Sequence, residues 1–175
     1  IFLIAVSPLE EHGPHLPVGV DFLNAIYFVE RAAEYIQKNI PGYDVATYPG
    51  IPIGSQVYNF VGSFSVKPST LYEVVRDIGA NIARYKFKNI FVYSAHATPK
   101  QIVAVEAACQ HVSRKYKAKM ISMTGAIAVK FLKGEYYPET FKRLGREMTK
   151  EGRRLLRYDY HAGWWETSVM LKNYP

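Results

Sequence analysis

The sequence predicts an α/β protein with three layers (α/β/α), a largely parallel sheet lying between two layers of helices. Two observations carry that reading. Short apolar runs at 2–7 (FLIAVS) and 89–94 (NIFVYS) are too brief for helices and lack polar alternation, the pattern of strands buried on both faces. Stretches with apolar residues at helical spacing separate such runs, so strand and helix alternate along most of the chain. Alternation of this kind implies βαβ units, parallel pairing and helices on both faces of the sheet.

The elements follow in order. The first strand ends at Ser7-Pro8. From 21 to about 39, Phe22, Ala25, Ile26, Phe28, Val29, Ala32, Ala33 and Ile36 recur at helical spacing, and Pro41-Gly42 ends that helix. Residues 44–48 make a short second strand. Residues 51–67 are rich in Gly, Ser and aromatics and read as a long loop. Thr70 is placed to cap a helix running to about 85, with Glu73 as the reciprocal partner of a capping box. After the strand at 89–94, a helix from about 99 to 116 opens on Pro99, which suits a first helical turn. Residues 119–123 form another strand. A single charged amphipathic helix is expected over 138–156 and a last helical segment from 163 to about 172. There is no internal repeat, linker or low-complexity segment.

At 175 residues the chain is expected to form one domain, 1–175, large enough to bury its own core. Hydrophobic residues make up 49% and charged residues 21%, which excludes a disordered chain. Cys109 is the one cysteine, so no internal disulfide can form, and a reducing, cytoplasmic setting is expected. The opening IFLIAV is too short to span a membrane and follows no charged region. A chain that opens inside a strand is expected to be trimmed at its termini. The formal net charge of +7 raises nucleic-acid binding. Its basic residues concentrate at 142–157 at helical spacing, interrupted by Glu147 and Glu151, which favours a solvated helix face over a phosphate-binding stripe. The expected partner is a small-molecule substrate, with neither nucleic acid nor membrane.

Chemistry concentrates in three places. The stretch 8–21 (PLEEHGPHLPVGVD) packs Glu10, Glu11, His12, His15 and Asp21 among prolines and glycines, which fix side chains in place. Carboxylates and neutral imidazoles are ligands for zinc, manganese and iron(II). Taken singly, Asp21 reads as a helix cap, His12 as a hydrogen-bonded loop residue and Glu10 as surface. His96, in YSAHATP after the second buried run, reads singly as a satisfied core histidine. Together they favour a metal, because all sit beyond the carboxyl ends of strands, where ligands bind in such sheets. The third place is DYHAGWWETS, with His161 and Glu166. Its plain reading is a helix start with a surface glutamate and packing tryptophans.

These segments resemble the creatininase family, the creatinine amidohydrolases and their relatives. The family's Glu-Gln-His-Gly-Pro-His-Leu-Pro stretch appears as Glu10-Glu11-His12-Gly13-Pro14-His15-Leu16-Pro17, followed by Asp21. Its Asn-Gly-His-Gly-Gly-Asn stretch keeps the histidine alone, as His96. Its His-Ala-Gly with Glu-Thr-Ser appears as His161-Ala162-Gly163 and Glu166-Thr167-Ser168, with Trp164 where a Glu is usual. The resemblance spans nearly the whole chain. It implies that Glu10, His12, Asp21 and His96 are metal ligands, with Asp21 able to bridge two metals. It implies that His161 carries protons and that Glu166 is a ligand or supporting carboxylate with a catalytic part. Creatinine-cleaving members have a ligand Glu two residues after the central histidine; here that position is Thr98. The resemblance also implies a homo-oligomer, a hexamer in the family.

The expected function is hydrolysis of a non-peptide C–N bond, in a cyclic amide or a formamide, by a metal-activated water. One or two divalent cations per chain are expected: zinc, with iron or manganese as alternatives. Tyr58, Phe60, Trp164 and Trp165 are expected to wall the substrate. The alternative is a catalytically decayed relative that keeps the fold and a metal without turnover.

Overall fold

The computed structural model describes residues 1–175. Four parallel strands form one sheet in the order β2-β1-β3-β4. They are β1 (Phe2–Val6), β2 (Ala46–Ile51), β3 (Asn89–Tyr93) and β4 (Lys119–Ser122). Between them run α1 (Val20–Asn39), α2 (Pro68–Arg84) and α3 (Pro99–Tyr116). Four shorter helices follow: α4 (Thr124–Leu132), α5 (Tyr137–Arg143), α6 (Lys150–Leu156) and α7 (Trp164–Asn173).

Alternate residues of β1 face opposite layers, as the two-residue period of a strand requires. Leu3 and Ala5 pack with Ala25 and Val29 of α1. Ile4 and Val6 join Leu71 and Val75 of α2 and Val105, Ala108 and Val112 of α3 in the larger core. Both faces are therefore covered, which is why β1 reads as an unbroken apolar run.

The order of strands matters for function. From β1 the chain moves outward through α1 to β2. It then returns through α2 to β3, on the other side of β1, and moves on to β4. Connections leave the carboxyl ends of neighbouring β1 and β3 in opposite directions. That opens a crevice between them, the position where open α/β sheets bind ligands.

Four expectations need correction. The helix α2 begins at Pro68, with Lys67 at its N-cap and no side-chain cap bond, so Thr70 already lies inside the first turn and the box with Glu73 does not form. Pro68 at the first helical position starts the helix three residues early. The strand β2 lies further on than 44–48 because Pro49 is tolerated at a sheet edge. Gly50 in that strand lets α1 come close: a Cβ there would sit 2.7 Å from the Ile26 side chain. The expected helix over 138–156 is two helices. Gly145, at φ +63, ends α5, with Gly145 N–H donating to Lys142 O and Arg146 N–H to Phe141 O, a Schellman closure. Thr149 then caps α6 by accepting from Gly152 N–H at 2.9 Å. The helix α4, finally, was not expected at all.

The last four helices return the chain to the crevice. Phe131 of α4 packs edge-on against Tyr137 and Trp165, at 5.8 and 5.1 Å between ring centroids. Tyr174, just past α7, donates its hydroxyl to Leu23 O in α1 at 3.1 Å. This seats α7 over the opening of α1. No helix is long and apolar enough to cross a membrane.

Candidate metal centre

The loop after β1 is closed by Glu10 N–H donating to Val18 O at 2.9 Å. Its turn needs Gly13 at φ +76, a region open to glycine. Glu11 folds back and accepts from Gly13 N–H at 2.6 Å, so it braces the loop and does not enter the centre. Glu10, His12 and Asp21 are each almost wholly buried. Asp21 lies in the first turn of α1, where the helix dipole favours an anion, yet it makes no cap bond. His96 follows β3 and is buried beside them.

Distances define two groups that share Asp21, beside a third made of Glu10, His12 and His161. His96 Nδ1 lies 3.0 Å from Glu10 Oε2 and 3.1 Å from Asp21 Oδ2. His12 Nε2 lies 3.6 Å from Asp21 Oδ1 and 3.6 Å from Glu166 Oε1. Within each group the donor atoms are all within 4.8 Å of one another. Asp21 belongs to both.

The donors fit a divalent cation. Glu10 Oε2, Asp21 Oδ2 and His12 Nε2 are buried with no hydrogen-bond partner. Orphaned buried polar atoms are costly and rare. His96 Nδ1 is close to both carboxylate oxygens, so all three atoms surround one shared point. His12 Nδ1 meets Glu10 O at 2.9 Å. A carbonyl only accepts, so Nδ1 carries the hydrogen, and in the neutral ring Nε2 turns its lone pair toward Asp21 and Glu166. Several carboxylates and neutral imidazoles in one dry place suit zinc, manganese or iron(II).

Protons compete for the same nitrogens. Burial alone would lower the pKa of His12, but the carboxylates of Asp21 and Glu166 beside it outweigh burial and push it up to about 10. Burial likewise opposes charge on His96, and Asp21 and Glu10 push it up to about 9. Burial would raise the Asp21 pKa, yet His12 and His96 hold it well below the usual carboxylate range. With no cation between them, the carboxylates therefore hold both imidazoles protonated.

His161 stacks over His12 with ring centroids 4.0 Å apart. Its Nε2–H donates to Glu11 O at 2.7 Å, so in the neutral ring Nδ1 is the free base. The next residue, Ala162, holds a left-handed backbone at φ +53. Its N–H donates to Glu166 Oε2 at 2.5 Å, which leaves Oε1 of the same carboxylate for His12. Asp159 accepts from Trp165 N–H at 2.9 Å and secures the start of α7.

The candidate wall is only partly assembled. The Tyr58 ring meets His161 edge-on at 4.7 Å, and its N–H donates to Glu10 Oε1 at 2.5 Å. Phe60 stands exposed beside Tyr58. Trp165 turns to Phe131, and Trp164 is largely exposed.

Sequence reading missed the residues that frame His96. Thr98, Ser55, Gln56 and Gln101 all touch it or one another by hydrogen bonds. One signal was available. Gln101 lies on the apolar stripe of α3 with Ala104, Val105, Ala108 and Val112, and a polar residue in such a stripe marks a buried network.

Comparison with known proteins bears on the family and the fold. A family model described as Creatininase: Creatinine amidohydrolase matches residues 1–175. The chain belongs to the creatininase family. The creatinine amidohydrolase of Pseudomonas putida is 25% identical over 182 residues, covering 100% of this chain and 65% of that protein. A mutant creatininase in a Zn-Zn form has a TM-score of 0.72 at 24% identity, covering 100% of this chain and 65% of that one. A structure titled Creatininase Mn has a TM-score of 0.69 at 22% identity, with the same coverage of 100% and 65%. At such identities the structures establish the fold, a creatininase fold. The chain spans about two-thirds of the length of these relatives.

Proposed function

We propose that this creatininase-family chain is a metal-dependent amidohydrolase that cleaves a non-peptide C–N bond in a cyclic amide or a formamide. The carrying observation is Asp21, whose two oxygens serve two separate ligand groups. Glu10, Asp21 and His96 would hold one cation, and His12, Asp21 and Glu166 a second. Glu166 thus supplies the carboxylate that Thr98 does not.

A bound divalent cation supplies Lewis acidity and lowers the pKa of water from 15.7 toward about 7. The protein's own part is positioning and proton transfer. His161 takes a proton at Nδ1, because Nε2–H is committed to Glu11 O. It then returns that proton to the leaving nitrogen. Tyr58 fixes the His161 ring from one side and, through its backbone, holds Glu10 in place. Phe60, beside Tyr58, offers an exposed aromatic face to a flat substrate. Burial of the carboxylates excludes bulk water and strengthens every charge interaction there.

Zinc is the cation we assign, and the forms named for the relatives include zinc and manganese. A small molecule is the partner, in a cytoplasmic homo-oligomer. The acidic crevice argues against nucleic acid despite the net charge of +7. Elemental analysis of the purified protein and of His12→Ala tests the centre: stoichiometric metal in the parent, reduced in the variant, supports it. Turnover in a screen of cyclic amides and formamides then separates the enzyme from a relative that binds metal without catalysis.

A further inference from the structure

We propose that Thr98 is a positioning residue whose hydroxyl fixes the tautomer of His96, so that Nδ1 faces Glu10 and Asp21 as a bare lone pair. This rests on His96 being a metal ligand.

One arrangement satisfies every hydrogen bond around Nε2. Thr98 Oγ1 donates to Ser55 O at 3.1 Å, since a carbonyl can only accept. The hydroxyl then turns its lone pairs to His96 Nε2, at 2.9 Å, and that contact needs the hydrogen on Nε2. The Gln56 carbonyl, 3.3 Å from the same nitrogen, also only accepts. Neutral imidazole carries one N–H. With it on Nε2, Nδ1 is free on the opposite edge of the ring, at 3.0 Å from Glu10 Oε2 and 3.1 Å from Asp21 Oδ2.

Thr98 has been released from its ordinary task. It occupies the N-cap of α3, where a threonine usually accepts from the helix's own N–H groups, yet it makes no cap bond. The side chain of Gln56 does that work, accepting from Lys100 N–H at 2.8 Å. The same residue holds a left-handed backbone at φ +63, and its carbonyl is the second acceptor on His96 Nε2.

The acceptors are themselves held. Ser55 N–H donates to Gln101 Oε1 at 2.8 Å, and Gln101 Nε2 donates to Ser94 Oγ at 3.2 Å. Both Ser55 and Gln101 are buried. The chain of bonds from Gln101, in the first turn of α3, to the imidazole therefore has no loose member. Thr98 stands where the family's creatinine-cleaving members are expected to have a ligand carboxylate. Here it lies on the far edge of the ring and orients the ligand instead of being one.

The test compares Thr98→Val, which keeps shape and loses the hydroxyl, with Thr98→Ser, which keeps it. Zinc affinity is read by competition with a chelator, and the His96 ring by long-range ¹H–¹⁵N correlation in the zinc-loaded protein. Losing an outer-shell partner lowers metal affinity by about 10–100-fold, and that loss is expected for Thr98→Val with recovery in Thr98→Ser. A protected Nε2–H signal is expected in the parent and the serine variant. Parent-like affinity in a folded Thr98→Val, or zinc held through Nε2 of His96, overturns the proposal while the metal centre stands. Parent-like zinc binding by His96→Ala overturns the centre itself and this proposal with it.

Discussion

Asp21 divides its carboxylate between two imidazoles: Oδ1 lies 3.6 Å from His12 Nε2, and Oδ2 lies 3.1 Å from His96 Nδ1. Glu166, by contrast, meets only His12. The two carboxylates should therefore fail differently. Asp21→Asn is expected to lose all bound metal, and Glu166→Gln about half of it if two cations bind, with the Glu10, Asp21 and His96 group intact. The amide in Glu166→Gln still accepts from Ala162 N–H, so the start of α7 is kept. In metal-free protein, Asp21→Asn also removes a partner of buried charge, which costs at most about 3–5 kcal/mol. Elemental analysis and urea unfolding read the two effects. Equal metal loss in both variants would remove the basis for two groups.

Acidity should act in opposite directions on the metal-free and metal-loaded forms. In metal-free protein the His12 and His96 pKa values rise to about 10 and about 9, from an ordinary 6.5. The folded chain then binds more protons than the unfolded one across that window. The stabilisation is fully present below about pH 6.5 and is lost as pH rises through about 9 and 10. Asp21, held low, contributes stability that is present above its unfolded pKa and lost only in strong acid. A cation needs both nitrogens free of protons, so its affinity rises over the same range in which the metal-free form weakens. Thermal scans from about pH 6 to about pH 10, with and without zinc, should show Tm falling only in the metal-free protein. Parallel curves would mean that protons and metal do not share these nitrogens.

His161 is close enough to Glu10 and His12 to be mistaken for a ligand. Its Nε2–H is already given to Glu11 O, and its ring is tilted by 36° against His12, with centroids 4.0 Å apart. A proton carrier and a ligand differ in what their loss removes. His161→Gln is expected to keep its metal and lose about 10²–10⁴-fold in kcat, the usual contribution of a general acid–base group. Metal content and steady-state kinetics on one preparation decide it. Loss of metal in step with activity would make His161 a ligand.

Legibility in the sequence followed the range of the forces involved. The strand β1 showed because both faces are buried, and α3 showed to the residue because Pro99 opens it and Tyr116 closes its periodic face. The break between α5 and α6 was written in Gly145 and Thr149, but the charge pattern over 138–156 hid it. The apolar α4 (TGAIAVKFL) lacks a polar face, so it has no helical period to read. Among site residues, Glu10, His12, Asp21 and His96 stood out only as a set, because they gather ligand-type side chains beyond the ends of two strands. Thr98 showed only as the residue standing in place of a ligand Glu, and Gln56 did not show at all. Their parts depend on a left-handed backbone and on partners 40 and 43 residues away, which no local pattern encodes.

Packing behind the centre offers the last prediction. Gly54 lies against the ring of Pro8, and a Cβ there would meet Pro8 Cδ at 2.5 Å, Cβ at 2.7 Å and Cγ at 2.8 Å. A proline ring cannot rotate away. Pro8 belongs to the loop that carries Glu10, and Gly54 precedes Ser55 and Gln56, whose carbonyls face Thr98 and His96. Relief of the clash must therefore move one ligand segment relative to the other. Overpacking of this kind costs about 1–3 kcal/mol, so Gly54→Ala should lower stability by that amount and weaken zinc binding as well. Gly42→Ala is the control: a Cβ there meets nothing within 4 Å, although its φ of +85 strains any side chain. That variant should lose stability through backbone strain yet bind zinc as the parent does. If both variants lose stability and neither loses affinity, the two loops are not coupled at the centre.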